Sequence, residues 1–275
     1  MKVVDSKSEL LIGNFSREIA DYHYEGGDYI EGNIISFDFT KVEKLLKIIR
    51  ADSENQYILI RNGGDIQCRI IKSFQHNRTD IVAFSDNDKI IVKAELPKNV
   101  KRVYSSCVEN ENSRLVATPF GIMNDNINEY RKLQNKKNKI VYSSFNPFTY
   151  QYRQKWWLHL KKQKCITFVS HEKEQGDYFK EMAEHSLVIC PRGNGLDTHR
   201  FWEALYLNCI PIVEDNATSR FFYKYLPVII IDSWFNFNIS NIYSEYKRVM
   251  DGSYTMEMLD KSWWKKTIEH DLKET

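Results

Sequence analysis

Short, uniformly apolar runs recur along this chain with helical patterns between them. That alternation constrains the fold more than any other feature. The runs read as strands at Tyr57–Arg61, Asp80–Phe84, Lys89–Val92, Arg114–Thr118, Ile140–Ser143, Cys165–Val169, Leu187–Cys190, Ile210–Val213 and Val228–Ile231. Helical periodicity falls at Thr40–Arg50, Tyr152–Lys161, Gln175–Glu184, Thr198–Asn208, Ser219–Tyr225, Ser240–Met250 and Met256–Leu272. A strand that is apolar on both faces must be covered on both, as helices between parallel strands do. The predicted class is therefore α/β.

With 275 residues the chain is long enough for two ordinary domains. Residues 127–139, INEYRKLQNKKNK, are polar and rich in Lys and Asn, and the alternation restarts cleanly at Ile140. This stretch reads as a linker between domains over 1–135 and 136–275, with one exposed surface helix as the alternative. The last helix, which carries Trp263 and Trp264, is a candidate to cross back to the first domain.

Composition narrows the partners. A net charge of +2 gives no general electrostatic case for nucleic acid or a membrane surface, so any basic patch must be local. Cys68, Cys107, Cys165, Cys190 and Cys209 are odd in number and widely spread. That argues for a reducing compartment and against a disulfide framework or a zinc site. The start, MKVVDSKSELLIGNF, has no long apolar core of a leader, and no segment has the run of apolar residues of a membrane span. The expectation is a cytoplasmic protein.

The chemistry concentrates in CPRGNGLDTHRFWEAL, residues 190–205. An apolar strand ends there in a glycine-spaced turn, with Gly193 and Gly195 expected to allow a sharp bend and a close approach to a ligand. A helix follows, with Asp197 or Thr198 as its N-cap. A helix N-terminus after a parallel strand is a ready anion site, and Arg192 and Arg200 add forked cationic donors suited to phosphate. Glu203 lies three residues after Arg200, on the same helix face, where it can accept hydrogen bonds from hydroxyls such as those of a ribose. The same pair also fits a surface ion pair with an ordinary turn before it. The pattern is neither G-x-G-x-x-G nor a Walker loop.

The segment CPRGNGLDTHRFWEALYLNCIPIV resembles the donor-site motif of exostosin-like glycosyltransferases, of the family 47 type. The resemblance extends through KIVYSSFNPFTYQYRQKWW and YLPVIIIDSW, and more weakly through YILIRNGGD and RLVATPFGIMND, covering roughly residues 57–235. It implies a GT-B glycosyltransferase: two Rossmann-like domains facing each other across a cleft, the C-terminal one holding a nucleotide sugar. Carried over, Arg200 neutralises the diphosphate leaving group and Glu203 binds the ribose. Arg192, Gly193, Asn194, Gly195, Thr198 and His199 line the phosphate pocket, and Arg153 reaches it from the neighbouring strand-loop-helix. The acceptor would be a glycan on an oligosaccharide or glycoprotein. Large algal viruses (chloroviruses) carry an exostosin-like xylosyltransferase, so the resemblance implies UDP-xylose as the first donor to test and a host-cytoplasmic site if the chain is viral.

An inverting transfer needs a base for the acceptor hydroxyl. Asp65, in the RNGGD loop after the strand YILIR, is the first candidate, with Asp38 and Glu25 behind it. Asp86-Asn87-Asp88 has D-x-D spacing but lies in a polar turn, so the transfer is expected to need no metal and no cofactor beyond its nucleotide-sugar substrate. A nucleotide-sugar epimerase or hydrolase of the same fold, and a non-catalytic glycan-binding protein, are the competing readings. Nucleic-acid binding is not expected. His171 and His185 read as surface residues. Phe145, Phe148, Tyr150 and Tyr152 read as a sugar platform or as packing, Trp156–Trp157 as core and cleft wall, and NKKNK as a solvated face.

Overall fold

The structure is a computed structural model and describes residues 10, 22–25, 34–36, 56–61, 81–85, 96, 98–109, 113–123, 126–131 and 137–273. Residue 10 and the described residues of 120–263 form one compact unit; the described residues of 22–119, together with 264–273, form the other. The division falls at Pro119/Phe120 and not in the stretch suggested as a linker. Part of that stretch is a helix, α1 (Ile127–Arg131), whose Ile127 and Arg131 are buried.

Each unit carries a sheet, and every described strand pairing is parallel. The first sheet runs β2 (Ile34–Ser36), β1 (Tyr22–Glu25), β3 (Gln56–Arg61), β4 (Ile81–Ser85), β5 (Val100–Ser105), β6 (Leu115–Ala117). The second runs β11 (Ile229–Ile231), β10 (Ile210–Glu214), β9 (His185–Ile189), β7 (Lys139–Ser143), β8 (Ile166–Phe168). The chain is α/β with Rossmann-like parallel sheets, as the alternation predicts. The candidate strand Lys89–Val92, the candidate helix Thr40–Arg50 and the Asp86-Asn87-Asp88 turn lie outside the described residues.

The second sheet shows why its helices are where they are. Between its strands lie α2 (Arg153–Leu160), α3 (Gln175–Ala183), α4 (His199–Tyr206) and α5 (Ala217–Tyr223). Strands β7, β9 and β10 read apolar on both faces because both faces are covered: Val141, Tyr142, Leu187, Val188, Ile189 and Ile212 are all buried. Trp156, Leu160, Trp234 and Ile242 complete the core on one side. Helix α5 starts two residues earlier than its apolar pattern suggests, because Asn216 and Ser219 close a reciprocal capping box. After α6 (Ile239–Asp251), the expected continuous C-terminal helix divides into a 3-10 turn, Glu257–Leu259, and α7 (Lys261–Lys273). Asp260 is extended between them, and its Oδ1 accepts the Ser262 N–H at 2.8 Å.

Topology then points to a site. Relabelled in chain order within its unit, the second sheet reads 2-1-3-4-5, so successive connections leave in opposite directions from β7. In open sheets of this order, ligands bind beyond the carboxyl ends of the strands where the direction reverses. Those ends are Ser143–Ser144 after β7 and Cys190–Asp197 after β9. The first sheet reverses likewise between β1 and β3, whose carboxyl-terminal residues Glu25 and Arg61 are register partners.

Candidate anion and nucleotide site

The loop from Cys190 to Thr198 is built from inside by Arg153. This side chain is 5% exposed. Its Nε donates to the Arg192 carbonyl at 2.7 Å and its Nη2 to the Pro191 carbonyl at 2.8 Å. Its Nη1 donates to Asn146 O at 3.2 Å and to Thr149 Oγ1 at 2.5 Å. Burial, and then the Arg200 charge, push the guanidinium down to about 9. Arg153 therefore ties the loop after β7 to the loop after β9. Its donors are engaged with protein oxygens, where the resemblance has it reaching for a diphosphate.

Arg192 lies over the Tyr150 ring at 4.6 Å from its centroid, and its Nη2 donates to Asn194 O at 2.8 Å. Neither Gly193 nor Gly195 adopts positive φ, so the turn does not rest on glycine's conformational freedom. The glycine with positive φ among the described residues is Gly121, at φ 72°. It lies in the segment that opens this unit, and that segment is clamped to the start of α4. The Phe120 N–H donates to Asp197 Oδ2 at 2.8 Å, and His199 Nδ1 donates to the Gly121 carbonyl at 2.6 Å. The Phe120 and His199 rings lie 4.4 Å apart.

Asp197 is the centre of this clamp. Besides Phe120, its Oδ2 accepts the Trp202 Nε1–H at 2.6 Å, and its Oδ1 accepts the Thr198 N–H at 2.7 Å. Burial pushes its carboxyl up to about 7 against the pull of those donors. The N-cap itself is Thr198, whose side chain makes no capping bond. The first N–H groups of α4, at His199 and Arg200, thus face the loop with no acceptor among the described residues.

Arg200 carries the decisive geometry. Its guanidinium makes no hydrogen bond or ion pair among the described residues, and its Nε is buried without a partner. Burial opposes its charge, but Tyr178, Cys190, Glu203 and Tyr142 nearby outweigh that, and its pKa is raised. Glu203, 6% exposed, accepts the Tyr178 hydroxyl at 2.8 Å on Oε2. Burial raises its pKa, while Tyr178, Arg200 and His199 lower it in part. The Tyr142 hydroxyl and Ser143 Oγ, at the end of β7, are also buried without partners. A buried arginine Nε and two buried hydroxyls, all without partners among the described residues, are costly unless a ligand completes them.

The structure thus gathers Arg192, Gly193, Asn194, Gly195, Thr198, His199, Arg200 and Glu203 on one loop and helix at the reversal point, with Arg153 beneath them. Tyr178 and the Phe120–Gly121 segment join them. Sequence reading misses both, because their contacts cross many residues of chain. Asp65 and Asp38 lie outside the described residues, and Glu25 ends β1. Among the described residues no three His, Cys, Asp or Glu side chains come together as metal ligands. No helix among them is long and apolar enough to cross a membrane.

His185 is not a surface residue: it is fully buried, Nδ1 meets Glu181 O at 2.7 Å, and burial lowers its pKa. Of the aromatic residues, Phe145 and Trp156 are core, whereas Phe148 is 75% exposed.

No protein-family model matches the chain, and no curated protein sequence matches it. Among solved structures it is similar to a UDP-forming α,α-trehalose-phosphate synthase from Burkholderia xenovorans, at 9% identity and TM-score 0.45, over 85% of this chain and 76% of that one. It is similar to an α1,3-fucosyltransferase at 12% identity and TM-score 0.42, over 84% of this chain and 94% of that one. It is also similar to Acinetobacter baumannii MurG at 11% identity and TM-score 0.42, over 86% of this chain and 76% of that one.

Proposed function

We propose that this chain is a GT-B glycosyltransferase that moves a sugar from a nucleotide donor to a glycan acceptor. The observation that carries the reading is Arg200: a guanidinium with no partner among the described residues and a buried, unpaired Nε, at the start of a helix and at the reversal point of a parallel sheet. That combination suits a diphosphate. In glycosyl transfer the departing diphosphate gains negative charge, which preorganised arginine and helix-end amides stabilise without rearrangement. Glu203, held by Tyr178, accepts from the ribose hydroxyls of the same donor. Arg192, Thr198 and the loop from Gly193 to Gly195 border the phosphates. Arg153 acts one step back, fixing the loop carbonyls so that the loop amides keep their direction.

The finer reading is exostosin-like, inverting and metal-independent, with UDP-xylose as donor and Asp65 as the base that takes the acceptor hydroxyl proton. It is supported by the sequence resemblance over 190–213 and by the order of the sequence, in which RNGGD begins at Arg61, the last residue of β3.

A thermal-shift panel of UDP, GDP, CMP and their common sugars, with and without EDTA, tests the donor reading. A ligand at about 100 times its dissociation constant adds roughly 2.7 kcal/mol of stability. The expected result is a UDP-sugar shift that survives EDTA and is lost in Arg200→Ala. A shift that appears only with added manganese contradicts metal independence, and no shift with any nucleotide contradicts the donor site. Incubating the donor alone separates transfer from the epimerase or hydrolase reading, since only those convert it without an acceptor.

A further inference from the structure

His199 occupies the first helical position of α4, beside Arg200, and its two ring nitrogens are not equivalent. Nδ1 lies 2.6 Å from the Gly121 carbonyl oxygen. A carbonyl only accepts, so Nδ1 carries the proton and the neutral tautomer leaves its lone pair on Nε2. The ring is held a second way, against Phe120 at 4.4 Å between centroids. Nε2 has no partner among the described residues. A ring fixed in position and tautomer, with one free nitrogen at a helix N-terminus, is equipped to take up one proton there.

We propose that His199 is a proton-gated second cation of the phosphate pocket: Nε2, once protonated, donates to the donor diphosphate, so that nucleotide-sugar affinity rises as pH falls. The proposal rests on the donor-site reading above and adds its regulation by pH. Protonation turns Nε2 from acceptor to donor and places a positive charge near that of Arg200, which a bound diphosphate compensates. Without the diphosphate the two cations repel, so ligand and proton bind cooperatively. Glu203, on the same helix, interacts electrostatically with the ring; Arg200 and Asp197 neighbour it in sequence, and the segment against it, Phe120–Gly121, is uncharged. Asp197 and Glu203 also titrate, so the test must separate them from His199.

The experiment measures dissociation constants of UDP-xylose, UDP-glucose and GDP-mannose by calorimetry at pH 5.5, 7.0 and 8.5. It compares wild type with His199→Asn, alongside nitrogen-15 NMR of the histidine rings. These diphosphate diesters keep their charge across that range, so the ligand contributes no slope. Asparagine keeps a donor near the Nδ1 position for Gly121 and removes Nε2. The expected result is about tenfold tighter binding by wild type at pH 5.5 than at pH 8.5, one order of magnitude for each pKa unit the imidazole gains on binding. His199→Asn is expected to show no tightening between pH 8.5 and pH 5.5, whatever its affinity at pH 8.5. The nitrogen-15 spectra should show the neutral His199 ring with its proton on Nδ1. Affinity independent of pH in wild type overturns the proposal. So does a slope that survives in His199→Asn, which assigns it to Asp197 or Glu203. Absence of binding by every probe at every pH instead overturns the donor site on which the proposal stands.

Discussion

At the scale of single residues, the site holds polar groups whose partners are missing, and this links affinity to stability. An unsatisfied buried donor costs about 1–3 kcal/mol. Arg200→Met removes the orphaned Nε and keeps much of the side-chain volume. It should leave chemical-denaturation stability unchanged or higher while nucleotide binding is lost; a large drop in stability would mean that the guanidinium has a structural partner. Tyr178→Phe removes the hydroxyl that fixes Glu203 Oε2. It should weaken donor binding several-fold, at a stability cost of about 1 kcal/mol.

Asp197 predicts a pH dependence. Burial pushes its folded pKa up to about 7, above the ordinary aspartate value of 3.8. The folded state therefore binds the proton more tightly, and this group's stabilisation is complete below pH 3.8 and lost as pH rises to about 7. The stability difference between wild type and Asp197→Asn, by urea titration, should shrink steadily over that window. A difference that grows with pH would contradict the assignment.

At the scale of elements, strands and helices with clean apolar periodicity were readable. Those set by one polar contact were not. Strand β5 escaped because Lys101 and Arg102 interrupt its apolar run, although Val100, Val103 and Tyr104 are buried in the sheet. Lys137, in a stretch that reads as a solvated face, caps two helices. Its Nζ donates to the carbonyls of Ala183, the last residue of α3, and Leu207, the C-cap of α4, each at 2.8 Å. It also meets Cys209 Sγ at 3.1 Å. Lysine identity alone does not reveal such a partner; only the return of the chain does. Lys137→Met should cost about 1.5–3 kcal/mol, the range for hydrogen bonds to a charged group. Hydrogen exchange should localise the loss to the ends of α3 and α4, and no change there would contradict the capping role.

At the scale of the whole molecule, the chemistry of residues 190–205 was legible because strand, turn and helix start are contiguous. The Phe120–Gly121 clamp was not, because it joins positions 77 and 78 residues apart. The glycines of the loop misled for a related reason. Their spacing suggested special backbone angles, yet among the described residues the left-handed glycine is Gly121. The two-unit α/β organisation followed from the alternation of runs, but its boundary did not, since α1 is polar in sequence and buried at both ends.

The central claim is that a nucleoside diphosphate binds at the carboxyl ends of β7 and β9 through Arg200. The most direct test is a calorimetric titration of UDP, with GDP as comparison, into wild type and Arg200→Met, after both are shown to be folded. The account predicts a one-to-one isotherm in wild type and at least a hundredfold weaker binding in the variant, the loss expected when a charged hydrogen-bonding partner worth about 3 kcal/mol is removed. Equal affinity in the two proteins, or none in wild type, would contradict it.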